Sequence, residues 1–157
     1  MEDVKKKLQD EIARLDYEMR NELPKEILRA RELGDLSENA EYHAAKERQG
    51  FVNARLGQLK KRLGELSMID MSRIPRDRAG LGSTVVVLDL QKDEEMTYHL
   101  CTSEEADVTK GMISTSSPIG RGLLNKKVGD EVKIPIPGGV RDMEVLRLKT
   151  MHDDVEL

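Results

Sequence analysis

Leu8, Ile12, Leu15 and Met19 recur at steps of four, three and four, the apolar seam of a coiled coil. Residues 2–33 around them contain no glycine and are rich in Lys, Glu, Arg and Leu. Pro24 interrupts the pattern, because it removes a backbone donor and crowds the preceding turn. Ile27, Leu28, Ala30 and Leu33 then resume apolar spacing, so a bent helix is predicted there, not a terminated one. Val52, Leu56, Leu59, Leu63 and Leu66 step by four, three, four and three and predict a second arm. Ala40, Ala44 and Ala45 are small enough to let the arms approach closely. Two helices of about 30 residues, each roughly 45 Å long, joined by a short turn become antiparallel neighbours. No third helical pattern follows that would complete a bundle.

The heptad is lost over residues 67–81, which contain Pro75 and Gly80 and read as a connection. Ser83–Leu90 includes Thr84-Val85-Val86-Val87-Leu88, and Met96–Cys101 alternates. Asp130–Ile136 and Arg141–Leu148 alternate on either side of Pro137-Gly138-Gly139, a hairpin turn. Ser117-Pro118 has the form of an N-cap followed by proline at the first helical position, opening a short helix through Leu124. The expected organisation is α+β. A coiled-coil hairpin occupies residues 1–72, with an acidic tip at 34–38; a linker spans 73–81; a small antiparallel-sheet domain fills 82–157. The acidic stretch Met151–Leu157 reads as a frayed end.

Composition supports an extended, solvated part: charged residues make up 36% of the 157, aromatics 3%, and Trp is absent. Cys101 is the single cysteine, which excludes an internal disulfide and a cysteine-based zinc site. No apolar run approaches the roughly 20 residues of a membrane span, so no membrane partner and a cytoplasmic location are expected. The net charge of -4 argues against broad binding to exposed nucleic acid. It is unevenly distributed: residues 1–80 hold 17 Lys and Arg against 16 Asp and Glu, residues 81–157 hold 9 against 14. Local contact with an RNA chain therefore belongs to the N-terminal half.

The chemistry concentrates in Gly34-Asp35-Leu36-Ser37-Glu38-Asn39-Ala40-Glu41-Tyr42. Gly34 is a natural helix stop, and Asp35 with Glu38 fits a capping box with Asp as the N-cap. Alternatively, two carboxylates at the end of a rigid arm could bind a metal together. Alone they would hold Mg²⁺ weakly. With ligands supplied by another enzyme they could hold a second ion in its active site, as in two-metal phosphoryl chemistry. One carboxylate could also cap while the other coordinates. Arg29, Arg31, Lys46, Arg48 and Arg55 flank the tip, either as a solvated face with helix ion pairs or as a patch guiding RNA. Tyr42 could pack between the helices or stack on a base. His43 lacks partners for a transition-metal site, and neither His99 nor His152 makes a nucleophile constellation with Cys101.

The tip run, with Arg31-Glu32-Leu33 before it and His43-Ala44-Ala45 and Gln49-Gly50-Phe51 after it, resembles the signature of the Gre family. Members of that family are bacterial transcript cleavage factors acting on RNA polymerase. Gly82-Ser83-Thr84-Val85-Val86-Val87, Glu104-Glu105-Ala106-Asp107 and Ser116-Ser117-Pro118-Ile119-Gly120-Arg121-Gly122-Leu123 extend the resemblance over nearly the whole chain. The pI of about 5.5 suits the GreA type better than the more basic GreB type. The usual opening Thr-x-x-Gly segment does not precede the first helix.

The resemblance implies a coiled coil inserted through the polymerase's secondary channel. Asp35 and Glu38 would match the tip residues that help hold a shared Mg²⁺, with Gly34, Asn39, Glu41 and Tyr42 supporting them. The 3′ end of a backtracked RNA would then be cut by the polymerase's own active site, so the chain itself is not an enzyme. It also implies an FKBP-like second domain docked at the channel rim, and association with the nucleoid through the polymerase. Prolyl isomerase activity is not expected, because Tyr98 is the only aromatic after residue 81 and such a pocket needs an apolar lining. A non-cleaving regulator of the same channel is the alternative, and retention of both carboxylates favours cleavage.

Overall fold

The computed structural model describes residues 1–35, 39–153 and 157. These form two compact units, Met1–Ile69 and Asp70–Leu157.

The first unit is a helical hairpin. Its first arm comprises α1 (Glu2–Tyr17), a π-helical turn (Glu18–Glu22) and α2 (Leu23–Arg31). The second arm is α3 (Ala40–Ser67), 28 residues or about 42 Å long. Both seams are where the spacing placed them. Leu8, Leu15, Leu23, Val52, Leu56, Leu59 and Leu66 are buried in one cluster, with Ile12, Met19 and Leu63 partly buried against it. The bend expected at Pro24 takes a particular form. Proline falls at the start of α2, and the turn before it widens to π geometry. A widened turn re-pairs backbone groups around the missing donor, so the helix continues. Of the three small tip residues only Ala45 is buried; Ala40 and Ala44 face outward.

Two ion pairs mark the register of the arms. Arg55 Nε donates to Glu11 Oε1 at 3.1 Å and Arg48 Nε to Glu18 Oε2 at 2.7 Å. On each arm the paired residues lie one heptad apart, so they stack along one flank of the antiparallel seam.

The second unit is a five-stranded sheet in the order β3-β2-β1-β5-β4, with one short helix. Its elements are β1 (Thr84–Asp89), β2 (Glu94–Cys101), β3 (Met112–Ser114), α4 (Pro118–Leu123), β4 (Glu131–Ile136) and β5 (Gly139–Lys149). All neighbours are antiparallel except β2 and β3, which run parallel. The alternation reading therefore missed β3, which is only three residues long and too short to show a period. Ser117 caps α4 as expected, its hydroxyl accepting from Gly120 N at 3.1 Å. Val85, Val87, Leu100, Leu123, Ile134, Met143 and Val145 form the core of this unit. Pro135 lies in β4, an edge strand, where its missing donor removes no ladder bond within the sheet.

Two boundary expectations need correction. The segment expected to link domains at 73–81 belongs to the second unit: Ala79 is fully buried in its core and exchanges backbone hydrogen bonds with Asn125 and Lys126. Loss of a heptad ends a coiled coil but does not free the chain. Nor does the expected frayed end hold for residues 151–153. Thr150 is buried, its amide donates to Asp153 Oδ2 at 2.9 Å, and His152 Nε2 lies 2.9 Å from Ile74 O. The remainder of that expectation, residues 154–156, lies outside the described residues.

Candidate functional site

The hairpin turn is built from both its ends. Helix α2 stops after Arg31, with Leu33 N donating to Ala30 O at 3.1 Å. Gly34 follows at φ 126°, a value only glycine takes without strain. Asp35 is next and is exposed. Glu38, the other acidic tip candidate, lies outside the described residues, as do Leu36 and Ser37.

Asn39 closes the turn. It is the N-cap of α3, its Oδ1 accepting from Tyr42 N at 3.0 Å, while its Nδ2 donates to Ala30 O. One side chain thus satisfies an orphan amide at the start of α3 and gives the Ala30 carbonyl at the end of α2 a second donor beside Leu33 N. The capping-box reading of Asp35 with Glu38 depends on Glu38 and so lies outside the described residues. The cap of α3 itself is Asn39, since the helix begins at Ala40. Glu41 occupies the first turn of α3, where a negative charge complements the helix dipole.

Tyr42 is half-buried and does not pack between the helices as a core residue. Its ring meets His43 edge-on at 5.7 Å, and the Arg31 guanidinium stands 5.9 Å from its centroid. The five basic candidates divide. Arg48 and Arg55 are committed to Glu18 and Glu11, each through two hydrogen bonds. That pairing holds the Glu18 carboxyl below its ordinary range, chiefly through the Arg48 hydrogen bonds. Lys46 donates to Gln49 Oε1 at 2.9 Å. Arg29 edges an open groove of about 390 Å³ between α2 and α3, where Arg29 and Arg48 face Glu26 and Glu41 across a floor of Ala30 and Ala45. Spacing alone did not reveal the Glu11 and Glu18 partnerships. The usable signal was the matching seven-residue interval on the two arms.

Among the described residues no three of His, Cys, Asp and Glu gather into a group that could hold a metal ion. Asp35 presents an exposed carboxylate, a hard oxygen donor of the kind Mg²⁺ takes. On the second unit, a shallow depression is lined by Pro118, Arg121, Gly122, Lys133, Ile134 and Pro135, without an aromatic residue. Tyr98 is buried in the core. No helix of the described residues is long and apolar enough to cross a membrane.

A two-arm helical hairpin with an acidic turn, followed by a small sheet domain, defines a class of transcription factor. Residues 2–67 match the family described as "Transcription elongation factor, N-terminal", and residues 74–150 match "Transcription elongation factor, GreA/GreB, C-term". The chain belongs to the GreA/GreB family of transcription elongation factors. A relative named transcription elongation factor GreA, from Desulfotalea psychrophila, is 51% identical over 92% of this chain and 90% of its own length. The GreA of Haemophilus influenzae is 43% identical over 90% of each. Among solved structures, GreA factor homolog 1 (Gfh1) of Thermus thermophilus is 26% identical, covers 92% of this chain and 94% of its own, and superposes with a TM-score of 0.42. Gfh1 of Thermus aquaticus is 28% identical over 94% and 92%, with a TM-score of 0.43.

Proposed function

We propose that this chain binds RNA polymerase, enters its secondary channel tip-first and stimulates Mg²⁺-dependent cleavage of backtracked RNA by the polymerase's own active site. The observation that carries this reading is the division of labour at the turn. Asn39 caps α3 and ties it to α2, and the Asp35 carboxylate stands exposed beside that tie. Asp35 and Glu38 would hold the shared ion, whose chemistry is to polarise an attacking water and stabilise charge at phosphorus. The arms' role is mechanical: a long, ion-paired hairpin presents carboxylates far from its own base. Arg29, Arg31 and Lys46 form no ion pair with the opposite arm among the described residues, and they suit the departing RNA strand. The second unit anchors the factor at the channel rim.

The test is cleavage of end-labelled RNA in a purified backtracked polymerase complex with Mg²⁺. The wild-type chain should shorten transcripts that then resume extension. Asp35→Ala and Glu38→Ala should each lower stimulated cleavage at least about a hundredfold, the scale expected when a transition-state electrostatic group is removed, while polymerase binding persists. Binding that falls as sharply as cleavage would make the carboxylates anchors. Intact binding of the wild type without shortened transcripts would assign the chain to the non-cleaving regulators.

A further inference from the structure

The base of the hairpin, at the far end from the acidic turn, carries a concentration of positive charge that the cleavage reading does not use. Residues 4–9 hold Lys5, Lys6 and Lys7 and no acid; residues 54–64 hold Arg55, Lys60, Lys61 and Arg62 and no acid. The register in which Glu11 lies opposite Arg55 and Glu18 opposite Arg48 brings these two runs to one level. Carried toward the base, it sets Lys6 opposite Lys60 and Lys5 opposite Lys61. Val4, Leu8 and Leu59 are buried in the same cluster beneath them.

Three consecutive residues on a helix fan over about 200°, so each run spreads its charge around its arm. The outcome is a collar encircling the hairpin, with no single flat face. Lys5 is paired with Glu2 at 3.6 Å and Arg62 with Glu65 at 3.2 Å. Lys6, Lys7, Lys60 and Lys61 are exposed and lie in no ion pair among the described residues, although Asp3 and Asp10 flank them on α1.

We propose that this collar is a binding site for the phosphate backbone of nucleic acid, in particular a single RNA strand. Two features select phosphate over an acidic protein surface. The four unpaired cations are lysines, residues depleted from protein interfaces, and no exposed aromatic or large apolar residue stands among them to form an interface core. Their arrangement around the girth favours a flexible strand over a rigid duplex. The choice of RNA rests on the proposed function. A strand displaced past the acidic turn would run along the arms, and Lys60 lies about 30 Å from Asn39 along α3.

The experiment is fluorescence anisotropy with the full chain alone, so that it does not depend on cleavage. Probes are a labelled 12-nucleotide single-stranded RNA, a 12-base-pair DNA duplex and polyglutamate. Wild type should bind RNA with a log–log salt slope near -3, about a 60-fold loss between 50 and 200 mM salt. A Lys6→Gln/Lys7→Gln/Lys60→Gln/Lys61→Gln variant should lose that slope and bind about tenfold more weakly or worse at low salt. Glutamine keeps a helix propensity near that of lysine, and circular dichroism verifies the fold. A control with the same charge removed elsewhere, Lys25→Gln/Lys92→Gln/Lys110→Gln/Lys127→Gln, should retain the slope. Tighter binding of duplex than of RNA would keep a phosphate site and overturn its assignment to RNA. Tighter binding of polyglutamate, an unaffected collar variant, or no binding by wild type at low salt would overturn the proposal.

Discussion

Arg48 grips Glu18 across the hairpin with two hydrogen bonds, 2.7 Å from Nε and 2.9 Å from Nη2. The contact joins α3 to the first residue of the π turn, where the other arm departs from regular helix. It also makes the pairing of the arms dependent on pH. The Glu18 carboxyl is held below its ordinary 4.5 in the folded chain. A depressed carboxyl contributes stability that is present above pH 4.5 and is lost as pH falls through the lower, folded value. Wild type should therefore melt above Glu18→Gln at pH 7, with the difference vanishing as the pH drops below 4.5. Helix melting followed by circular dichroism tests this, and an unchanged difference at pH 3 would contradict it. Raising the salt should shrink the difference at pH 7, because both groups reach solvent.

Asn39 makes a second prediction. Asn39→Ala removes the cap of α3 and the tie to Ala30 O together, and should cost about 1–2 kcal/mol. Asn39→Ser should restore the cap without the tie and recover part of the loss. Hydrogen exchange at the Tyr42 amide is the local readout: it should speed up in the alanine variant and be partly protected in the serine variant.

Glycines in the two units should respond oppositely to the same change. A Cβ on Gly120 would lie 1.9 Å from Ser114 O, a backbone atom that cannot move aside. Gly120→Ala should destabilise the sheet unit by about 3 kcal/mol. Gly57 and Gly64 sit inside α3 with nothing within 4 Å of an added Cβ. Gly57→Ala and Gly64→Ala should each stabilise the hairpin by about 0.5–1 kcal/mol. Thermal melts of the three variants decide the matter, and a stabilised Gly120→Ala would refute the packing argument.

Cys101 should be slow to react in the native chain. Its thiol is buried at the end of β2, and burial foremost, with the Glu105 charge second, pushes its pKa up. The Sγ–H group donates to Ile113 O at 3.6 Å. Labelling by a disulfide reagent at pH 7.5 should be at least tenfold faster once the sheet is unfolded in guanidinium, since only an accessible thiolate attacks.

Much of this molecule was legible from residue order because its dominant interactions are periodic. Leu8, Leu15, Val52, Leu56, Leu59 and Leu66 declare a buried seam through spacing alone, and Ser117-Pro118 declares a helix start through local chemistry. The same holds for the turn as a place: Gly34 follows the end of one helix, and Asp35 lies between it and the next. Contacts distant in the chain were not legible. Whether Asp35 or Asn39 caps α3 depends on where the second helix begins relative to Ala30, nine residues away from Asn39. That Arg48 and Arg55 face Glu18 and Glu11 depends on the register between arms, which either arm alone leaves open. The parallel pairing of β3, the burial of Ala79 and the anchoring of His152 to Ile74 follow from closing a small core, which recruits whatever chain passes over it. Periodicity and caps are written in neighbouring residues, whereas register and closure arise only when distant segments compete for the same surface.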